Sequence, residues 1–568
     1  MDFRPYQEVA ARFPEITVSA FQSAVHLVDD DGPVRQIYRG AEAVLRTLAA
    51  GVAGTTGGVR GLGLKLYQAS PLFKVISEKS YALVAKNRKL FSWLTYLFMG
   101  EDITVPRYRL VRKYFFKGLG VVGLAALGSL IWQMPSLVGT NGLLPTTSDA
   151  VLYWTAAIGI SASLILALST GVTAITPWAV AIFFATYYAL TQWGQVFLGY
   201  QWEALTLDTL FIAFFFAFGR GQGWGLFGLR ALLFRLMLGS GLSKIHSGDP
   251  AWTSLEALRF HFETQPLPTP LAWFAHQLSP SVLRAITGGV LSIELGAPWL
   301  IFGPRRIRQI AFGLLAGFQL LIAATGNYAH FNWLTLLLSF TVLDDQTLLA
   351  WFPWISERHS KRSKKAPEVK GAVSATTLLL RGVEPETPSK VWKWVGNGFI
   401  MASTVVGLGA LTGERLGGFG EIARSFGVGS PYGLFAVMTR TRDEIVLEGS
   451  EDGVTWVEYP FRAKPGRLDQ VLGSGWGWVA PHQPRLDWQM WFASFTSERS
   501  NPWLKVLMKQ LLDKNPSAMR LLSDDPFPGK QPKTIRAQFY RYHFTSWSEW
   551  RETGHRWKRV KIGTYSTL

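Results

Sequence analysis

Blocks of apolar residues, each close to 20 residues long, recur along the chain after Lys113. A helix of about 20 apolar residues crosses the hydrocarbon core of a bilayer and satisfies its own backbone hydrogen bonds there. The blocks therefore predict a polytopic α-helical membrane protein with about nine transmembrane helices. The fourth, seventh and eighth are short, and the nine cover residues 114–134, 150–168, 177–198, 204–219, 225–241, 282–302, 310–325, 331–343 and 391–411.

The composition fits a membrane protein that also carries soluble parts. Hydrophobic residues make up 48% of the chain, yet 17% of its residues are charged. The net charge of +18 comes from Lys and Arg beside apolar blocks rather than within one nucleic-acid-binding module, so no nucleic-acid partner is expected. Since the chain has no cysteine, disulfides, thiolate metal sites and cysteine redox chemistry are excluded.

Basic residues lie in the connections that fall on one side of the membrane under the nine-span prediction. They are Arg107, Arg109, Arg112, Lys113, Arg220, Arg305, Arg306, Arg308, Arg358, Lys361, Arg362, Lys364 and Lys365. The opposite connections at 135–149, 199–203 and 326–330 contain no Lys or Arg. Because cytoplasmic connections carry the Lys and Arg excess, the N-terminus is predicted to be cytoplasmic and the C-terminal region extracytoplasmic.

Composition also predicts the domain organisation. Residues 432–462 alternate apolar and polar side chains, and a final strand pair is predicted near 534–545, so the C-terminal part should be rich in antiparallel strands. The predicted regions are a cytoplasmic N-terminal region at 1–105, a membrane domain at 106–346 with eight spans and an outer-face loop at 244–280, a cytoplasmic basic linker at 347–390, a last transmembrane helix at 391–412 and an extracytoplasmic soluble mixed α/β domain at 413–568.

A dense group of ionisable and aromatic residues follows the apolar run that ends near Gly241. Its members are Lys244, His246, Asp249, Trp252, His261, Glu263, Gln265 and His276. Membrane proteins place functional sites where a helix leaves the bilayer, so a site is expected here. The histidines are spaced too widely for a local metal-ligand signature, and no metal or cofactor is predicted.

Two interpretations are open for the charged residues near the membrane. Lys244 is either an interfacial cation whose stem lies along apolar surface, or a desolvated lysine that acts as a base. Asp208 and Glu294 fall within predicted spans, where a carboxylate needs a partner or a polar cavity. Either they pair with Arg235 or Lys244, or they serve in a proton relay or a substrate contact.

Seven sequence blocks, in order from Tyr108 to the C-terminus, resemble the lipase maturation factor family. They are LVGTNGLLP (137–145), FRLMLGSGLSKIHSGDPAW (234–252), HFETQPLPTPLAW (261–273), ATGNYAHFN (324–332), YGLFAVMTRTRDEIVLEGSEDG (432–453), PHQPRLDWQMWF (481–492) and PFPGKQPKTIRAQFYRYHF (526–544). The resemblance implies a factor that supports the folding or assembly of a secreted lipase. Animal members of the family lie in the endoplasmic reticulum membrane.

A second resemblance, over residues 225–343, is to vitamin K-dependent γ-carboxylases and their microbial relatives. The pattern L-x-x-G-x-x-K, followed by an acidic residue and Trp, carries it at Leu238, Gly241, Lys244, Asp249 and Trp252, with a looser match at 326–332. This resemblance implies that Lys244 acts as a base. It gives an alternative function, a membrane-embedded enzyme acting on a quinone-like or lipid substrate.

The first hundred residues resemble the second half of a DCC-type thiol-disulfide oxidoreductase, a thioredoxin-like domain. The resemblance rests on PYQ (5–7), VDDDG (28–32), GAEAV (40–44) and YALVAKNRKL (81–90). The redox cysteines of that family lie ahead of the matching region. The resemblance therefore implies an inactive remnant, or a start codon assigned too far downstream.

The main hypothesis is a membrane-tethered maturation factor for an exported client, a lipase by resemblance, with the lipid membrane as its other partner. The expected location is the bacterial inner membrane with the C-terminal domain in the periplasm, or the endoplasmic reticulum membrane of a eukaryote. Candidate catalytic residues are Lys244, His246, Asp249, His261 and Glu294. Candidate binding residues are Trp252, Gln265, Asn327, Tyr328, Arg485, Asp487 and Trp488.

The soluble domain is where we expect the client to bind, because it alone among the extracytoplasmic regions is large enough for an interface of about 800 Å² per partner. Aromatic and arginine side chains often anchor such interfaces, and the predicted anchors are Trp491, Trp503 and Arg536. In the same domain, Arg485 and Asp487 are predicted to form a buried ion pair beside an aromatic anchor, Trp488.

Overall fold

The computed structural model describes residues 4–30, 34–50, 61–102, 104–218, 223–355, 390–411, 417–468 and 479–568. The chain divides into two compact units, Met1–Ile103 and Thr104–Leu568. Residues 356–389 of the predicted basic linker lie outside the described residues.

The first unit combines a short β-hairpin with helices. Strands β1 (His26–Asp29) and β2 (Gln36–Arg39) are antiparallel. A helix begins at Gly40, whose φ of +65° is one that glycine adopts without strain. The helices are α1 (Tyr6–Val9), α2 (Val18–Ser23), α3 (Gly40–Ala50), α4 (Leu62–Ala69), α5 (Pro71–Lys86) and α6 (Arg88–Met99). The resemblance to a thioredoxin-like domain stays a prediction.

A helical bundle begins the second unit, and each of the nine predicted spans contains one of its helices. The helices before the outer-face loop are α7 (Arg109–Ile131), α8 (Met134–Val138), α9 (Asp149–Leu168), α10 (Thr176–Gly194), α11 (Gln201–Phe216) and α12 (Trp224–His246). Those that follow are α13 (Pro250–Thr253), α14 (Ala257–Thr264), α15 (Pro270–His276), α16 (Pro280–Leu300), α17 (Arg305–Thr325), α18 (Phe331–Phe340), α19 (Asp345–Trp351) and α20 (Lys390–Leu411).

Four of these helices, α7, α9, α12 and α17, are long and apolar enough to cross a membrane. Helix α18 has 10 residues and rises only about 15 Å, half the thickness of the hydrocarbon core. The structure thus gives a membrane protein of mostly helical architecture, and the count of nine spans stays a prediction.

Helix α12 continues to His246, five residues past the predicted end at Gly241. The breaking residues come later, at Gly248, which has a φ of +68°, and at Pro250. Lys244 and His246 therefore lie in the last turn of a helix rather than in the predicted loop. Helix α10 is shorter than predicted, because a 3₁₀ turn replaces its last four residues, Gln195–Leu198.

The C-terminal part contains a four-stranded antiparallel sheet, as the alternating pattern predicts. Its strands are β3 (Arg442–Ser450), β4 (Val457–Glu458), β5 (Thr534–Phe544) and β6 (Trp557–Thr567), in the order β4-β3-β5-β6. The helices are α21 (Gly417–Ser425), α22 (Arg485–Ala493), α23 (Pro502–Leu512), α24 (Pro516–Met519) and α25 (Trp547–Thr553). The apolar face of α23 packs on the sheet and buries Leu504, Leu507, Met508 and Leu511.

The sheet region packs directly on one end of the helical bundle. The ring of Trp202, in the first turn of α11, lies 4.9 Å from that of Trp488 in α22. Phe197 likewise lies 5.7 Å from Trp503 in α23. Apolar burial therefore runs without a break from the bundle into the C-terminal region.

Candidate functional site

Lys244, in the last turn of α12, has a buried ammonium group. Its side chain is 5% exposed, and Nζ lies 2.9 Å from either carboxylate oxygen of Glu294 in α16. Nζ also donates to the carbonyl oxygens of Ser240 and Leu434, each at 3.2 Å. An ammonium group has three N–H bonds, and three acceptors lie within hydrogen-bond distance of this one.

The glycine of the L-x-x-G-x-x-K pattern has a packing role. A Cβ at Gly241 would lie 2.7 Å from the side chain of Leu295 and 3.1 Å from that of Glu294. Glycine therefore lets α12 and α16 approach closely enough for Lys244 to reach Glu294. The Trp of the same motif, Trp252, places its ring centre 5.1 Å from the Lys244 ammonium, as in a cation–π contact.

A second buried ion pair joins Asp208 of α11 to Arg235 of α12. Asp208 also accepts hydrogen bonds from the amide of Gly429 at 2.8 Å and the hydroxyl of Tyr432 at 2.7 Å. Asp208 and Glu294 therefore both pair with basic residues of α12, as one of the two sequence interpretations held. Both pairs also contact the chain that leads into the C-terminal sheet.

Asp249 and Trp252 bind that same chain. The Asp249 carboxylate accepts from the amide of Met438 at 2.6 Å and from the Arg440 guanidinium at 2.8 Å, and Trp252 Nε1 donates to the carbonyl of Phe435 at 3.0 Å. Partial burial alone would raise the pKa of Asp249, but its hydrogen bonds outweigh burial and hold the pKa below its usual value. Asp249 is thus an ionised acceptor for the C-terminal region.

His261, Gln265 and Tyr328 form a polar group beside Phe435. The Tyr328 hydroxyl donates to Gln265 Oε1 at 2.9 Å and lies 3.5 Å from His261 Nε2. The Phe435 ring meets the rings of His261 and Tyr328 edge-on, at 5.0 Å and 5.8 Å. Burial and, to a smaller extent, the charge of Lys244 lower the pKa of His261 to about 4, so the imidazole is neutral near pH 7.

Arg442, at the start of β3, links the sheet to the end of α14 and the loop after it by hydrogen bonds. Its guanidinium is almost fully buried and donates to the carbonyl oxygens of Glu263, Gln265 and Pro266. In return, the Glu263 carboxylate accepts from the amide of Phe544 at 2.7 Å. The loop of the bundle and the sheet therefore hold each other by reciprocal hydrogen bonds.

Arg485 pairs with Glu203 of α11 at 2.8 Å, so the predicted ion pair with Asp487 is wrong. Residues two positions apart on a helix do not face each other. Asp487 instead accepts from the amides of Ala463 and Lys464, at 2.7 and 2.9 Å. Burial raises the pKa of Asp487 even though these hydrogen bonds oppose the rise.

Trp488 and Asn327 complete the contacts between bundle and sheet region. Trp488 is buried against Trp202 and packs edge-on to Tyr328, with ring centres 6.0 Å apart. Asn327 Nδ2 donates to the carbonyl of His482 at 2.8 Å. Both side chains join the bundle to the C-terminal region.

Sequence analysis missed three buried residues of this interface: Tyr187, Glu203 and His330. The Tyr187 hydroxyl donates to Glu203, and His330 Nε2 lies 2.9 Å from the Thr206 hydroxyl. Burial lowers the pKa of His330 to about 4, Glu203 opposes this lowering, and Arg485 adds to it. An acidic residue at the start of an apolar block, next to a connection without Lys or Arg, was the available signal for Glu203.

Some predicted site and client-anchor residues lie outside the contacts described above. The side chain of His246 is exposed, apart from the cluster that Lys244 and Asp249 belong to. Trp491 and Trp503 are 7% and 2% exposed, so the prediction that they anchor a client is wrong: both belong to the core. Arg536, the third predicted anchor, is bound to Glu448 at 2.7 Å.

The predicted site residues thus mainly join two parts of the chain. The interdomain interface, as we name it, comprises Glu203, Asp208, Arg235, Lys244, Asp249, Trp252, Gln265, Glu294, Asn327, Tyr328, Arg485 and Trp488 with their partners. Among the described residues no group of three or more His, Asp or Glu side chains could hold a metal ion. Chemically, the interface satisfies buried charges and fixes the sheet region on the bundle.

Comparison with known proteins identifies both parts that this interface joins. Residues 146–350 match the family model of the lipase maturation factor transmembrane domain, and residues 428–567 match that of the lipase maturation factor C-terminal domain. Lipase maturation factor 2 of Homo sapiens is 31% identical over 79% of this chain and 81% of its own length. Lipase maturation factor 1 of Bos taurus is 32% identical over 68% of this chain and 70% of its own length. No solved structure matches the chain.

Proposed function

Because the chain belongs to the lipase maturation factor family, we propose that it assists the folding or assembly of an exported lipase while anchored in the membrane. It is an integral membrane protein with a maturation-factor role. The lipase as client is taken from the names of its relatives.

The observation that carries the proposal is the way in which the two matched domains are joined. The buried pairs Asp208–Arg235 and Lys244–Glu294 each add a hydrogen bond to the chain entering the sheet, through Tyr432 and Leu434. A third buried pair, Arg485–Glu203, crosses between the domains, and removing one partner of such a pair typically costs about 3–5 kcal/mol, so the two domains are strongly coupled. Because the C-terminal domain is held rigidly on the membrane bundle, it can present a fixed surface to a client, and this supports the maturation role.

The enzymatic alternative requires Lys244 to accept a proton. Its ammonium instead donates to Glu294, Ser240 and Leu434. Within the described ranges, no observation favours this alternative over the maturation role.

We also propose that the C-terminal domain faces away from the cytoplasm, either in the periplasm or in the lumen of the endoplasmic reticulum. Support comes from the end of the bundle opposite the sheet region, where the Arg112 guanidinium donates to the carbonyl of Phe216 and that of Arg230 to Thr341. Arg305 and Arg308 both bind Asp344 there. Arginines gathered at one end of the bundle are the pattern of a cytoplasmic face.

The test is the maturation of an exported lipase by cells with and without this chain. We expect cells lacking it to secrete lipase of lower specific activity at unchanged lipase transcript level, with recovery when the wild-type chain is returned. A variant with Arg499, an exposed arginine, replaced by Met serves as a matched control and should restore maturation fully. Equal specific activity with and without the chain would contradict the proposal.

A further inference from the structure

Strand β6, at one edge of the C-terminal sheet, has a long free side. The strand runs from Trp557 to Thr567 and pairs with β5 on one side, and no described strand pairs with its other side. An unpaired strand edge presents a row of amide and carbonyl groups to which another extended chain can add.

The register identifies which amides are free. The amide of Thr545 donates to the carbonyl of Arg556 at 3.0 Å, and Phe544 lies opposite Trp557. Since hydrogen-bonded and non-hydrogen-bonded pairs alternate along antiparallel strands, the amides of Trp557, Arg559 and Lys561 point away from β5. Trp557 is buried, so Arg559 and Lys561 carry the two amides that an added strand can reach. Their spacing is the one that an added strand needs.

Apolar side chains along this edge are exposed. Val560 is 65% and Ile562 is 42% exposed. Natural edges are usually protected by charges or bulges, and β6 has register shifts where Gln538 and Tyr540 of β5 pair with it. Those shifts begin after Lys561, so the segment from Trp557 to Lys561 keeps a regular register.

The edge is strongly basic. Residues 551–568 contain five Lys or Arg residues, namely Arg551, Arg556, Lys558, Arg559 and Lys561, against one carboxylate side chain, Glu552. Lys558 binds Glu549 and Arg559 binds Glu458, whereas Lys561 is exposed on the strand. Like charges disfavour pairing of this edge with a second copy of itself, and they favour an acidic partner.

We propose that the free edge of β6 binds an extended, acidic segment of the client by strand addition. Main-chain hydrogen bonds to Arg559 and Lys561 hold the segment, its apolar side chains cover Val560, and its carboxylates face the Lys561 ammonium. The inference rests on the proposed maturation function, because it names the surface at which that client is held.

The test uses the purified full chain and a capped octapeptide of alternating Val and Glu, with a Val–Lys octapeptide for comparison. In the free protein, the amides of Arg559 and Lys561 exchange rapidly with solvent. The Val–Glu peptide slows their exchange by about tenfold or more, while the Val–Lys peptide leaves it unchanged. Slow exchange of these amides in the free protein, or no change on adding the Val–Glu peptide, would overturn the proposal.

Two variants at one position separate the backbone from the side chain. Both Arg559→Ala and Arg559→Pro remove the ion pair with Glu458, but only proline removes the outward amide. Arg559→Pro should bind the Val–Glu peptide about tenfold more weakly than Arg559→Ala, the loss expected for one hydrogen bond. Lys561→Glu should reverse the preference between the two peptides. Equal binding by the two Arg559 variants, or protection of β6 that depends on protein concentration, would contradict the proposal, the latter assigning the edge to a second copy. Since no lipase is present, failure here leaves the maturation function untouched.

Discussion

Arg485 of the C-terminal domain lies with its Nη1 atom 2.8 Å from Oε1 of Glu203 in helix α11, and both side chains are almost fully buried. The pair crosses the interdomain interface and links residues 282 positions apart in sequence. It therefore ties the position of α22 directly to the membrane bundle.

Replacing Arg485 by Met should destabilise the chain by about 3–5 kcal/mol, because Glu203 is left buried without its partner. Thermal unfolding in detergent micelles measures the loss. Arg499→Met, at an exposed position, removes the same charge and should change stability by less than about 0.5 kcal/mol. Similar unfolding temperatures for the two variants would refute this role of Arg485.

Stability should fall between pH 6.5 and pH 4 because of His330. Burial is the main cause that lowers its pKa from 6.5 to about 4; the charge of Arg485 contributes to the lowering, and Glu203 opposes it. The unfolded chain therefore binds a proton in this window that the folded chain does not, so stability is full above pH 6.5 and declines as pH falls. The loss approaches about 3 kcal/mol at pH 4. His330→Gln removes this titration, and its unfolding temperature should change less with pH; an unchanged pH profile would count against the prediction.

Trp503 should behave as a core residue and not as a client anchor. Its side chain is 2% exposed and packs against Phe197. Trp503→Ala should therefore cost about 3–5 kcal/mol of stability, whereas Val454→Ala, at a side chain that is 81% exposed, should have little effect. Denaturant unfolding of both variants measures this. A stable Trp503→Ala protein that specifically loses its client would restore the anchor hypothesis.

The proposed topology can be read from reporter fusions. Alkaline phosphatase fused after Leu568 should be active, because the C-terminal domain is expected outside the cytoplasm, and a fusion at Lys365 should be inactive. The reverse pattern of activity would overturn the proposed orientation.

The helices and the partners of Asp208 and Glu294 could be predicted because they follow from local rules. Apolar length locates a helix, and a carboxylate at membrane depth requires a cation, which Arg235 and Lys244 of α12 supply. The pairing of Arg485 with Glu203 could not be predicted, because it depends on how the sheet region docks on the bundle. The residues near Arg485 in sequence do not indicate Glu203 as its partner.

Which aromatic residues of the C-terminal domain are buried was equally hard to predict from the sequence. Trp491 and Trp503 have the residue type of an interface anchor, but their surroundings place them in the core. A hydrophobic side chain can serve either role, and sequence pattern alone does not separate them. The free edge of β6 likewise emerges only from the strand order, since its sequence resembles that of an interior strand with added lysines.

We infer that Lys244 joins the two domains rather than acting as a base, and replacing both members of its ion pair distinguishes the two roles. Lys244→Met alone should lower abundance, since it leaves Glu294 buried without a partner. Adding Glu294→Leu removes the unpaired charge and should return stability to within about 2 kcal/mol of the wild type. Lipase specific activity per molecule of this protein is then measured. We expect the double variant to mature lipase as the wild type does. A stable, abundant double variant without maturation activity would contradict the structural role of Lys244.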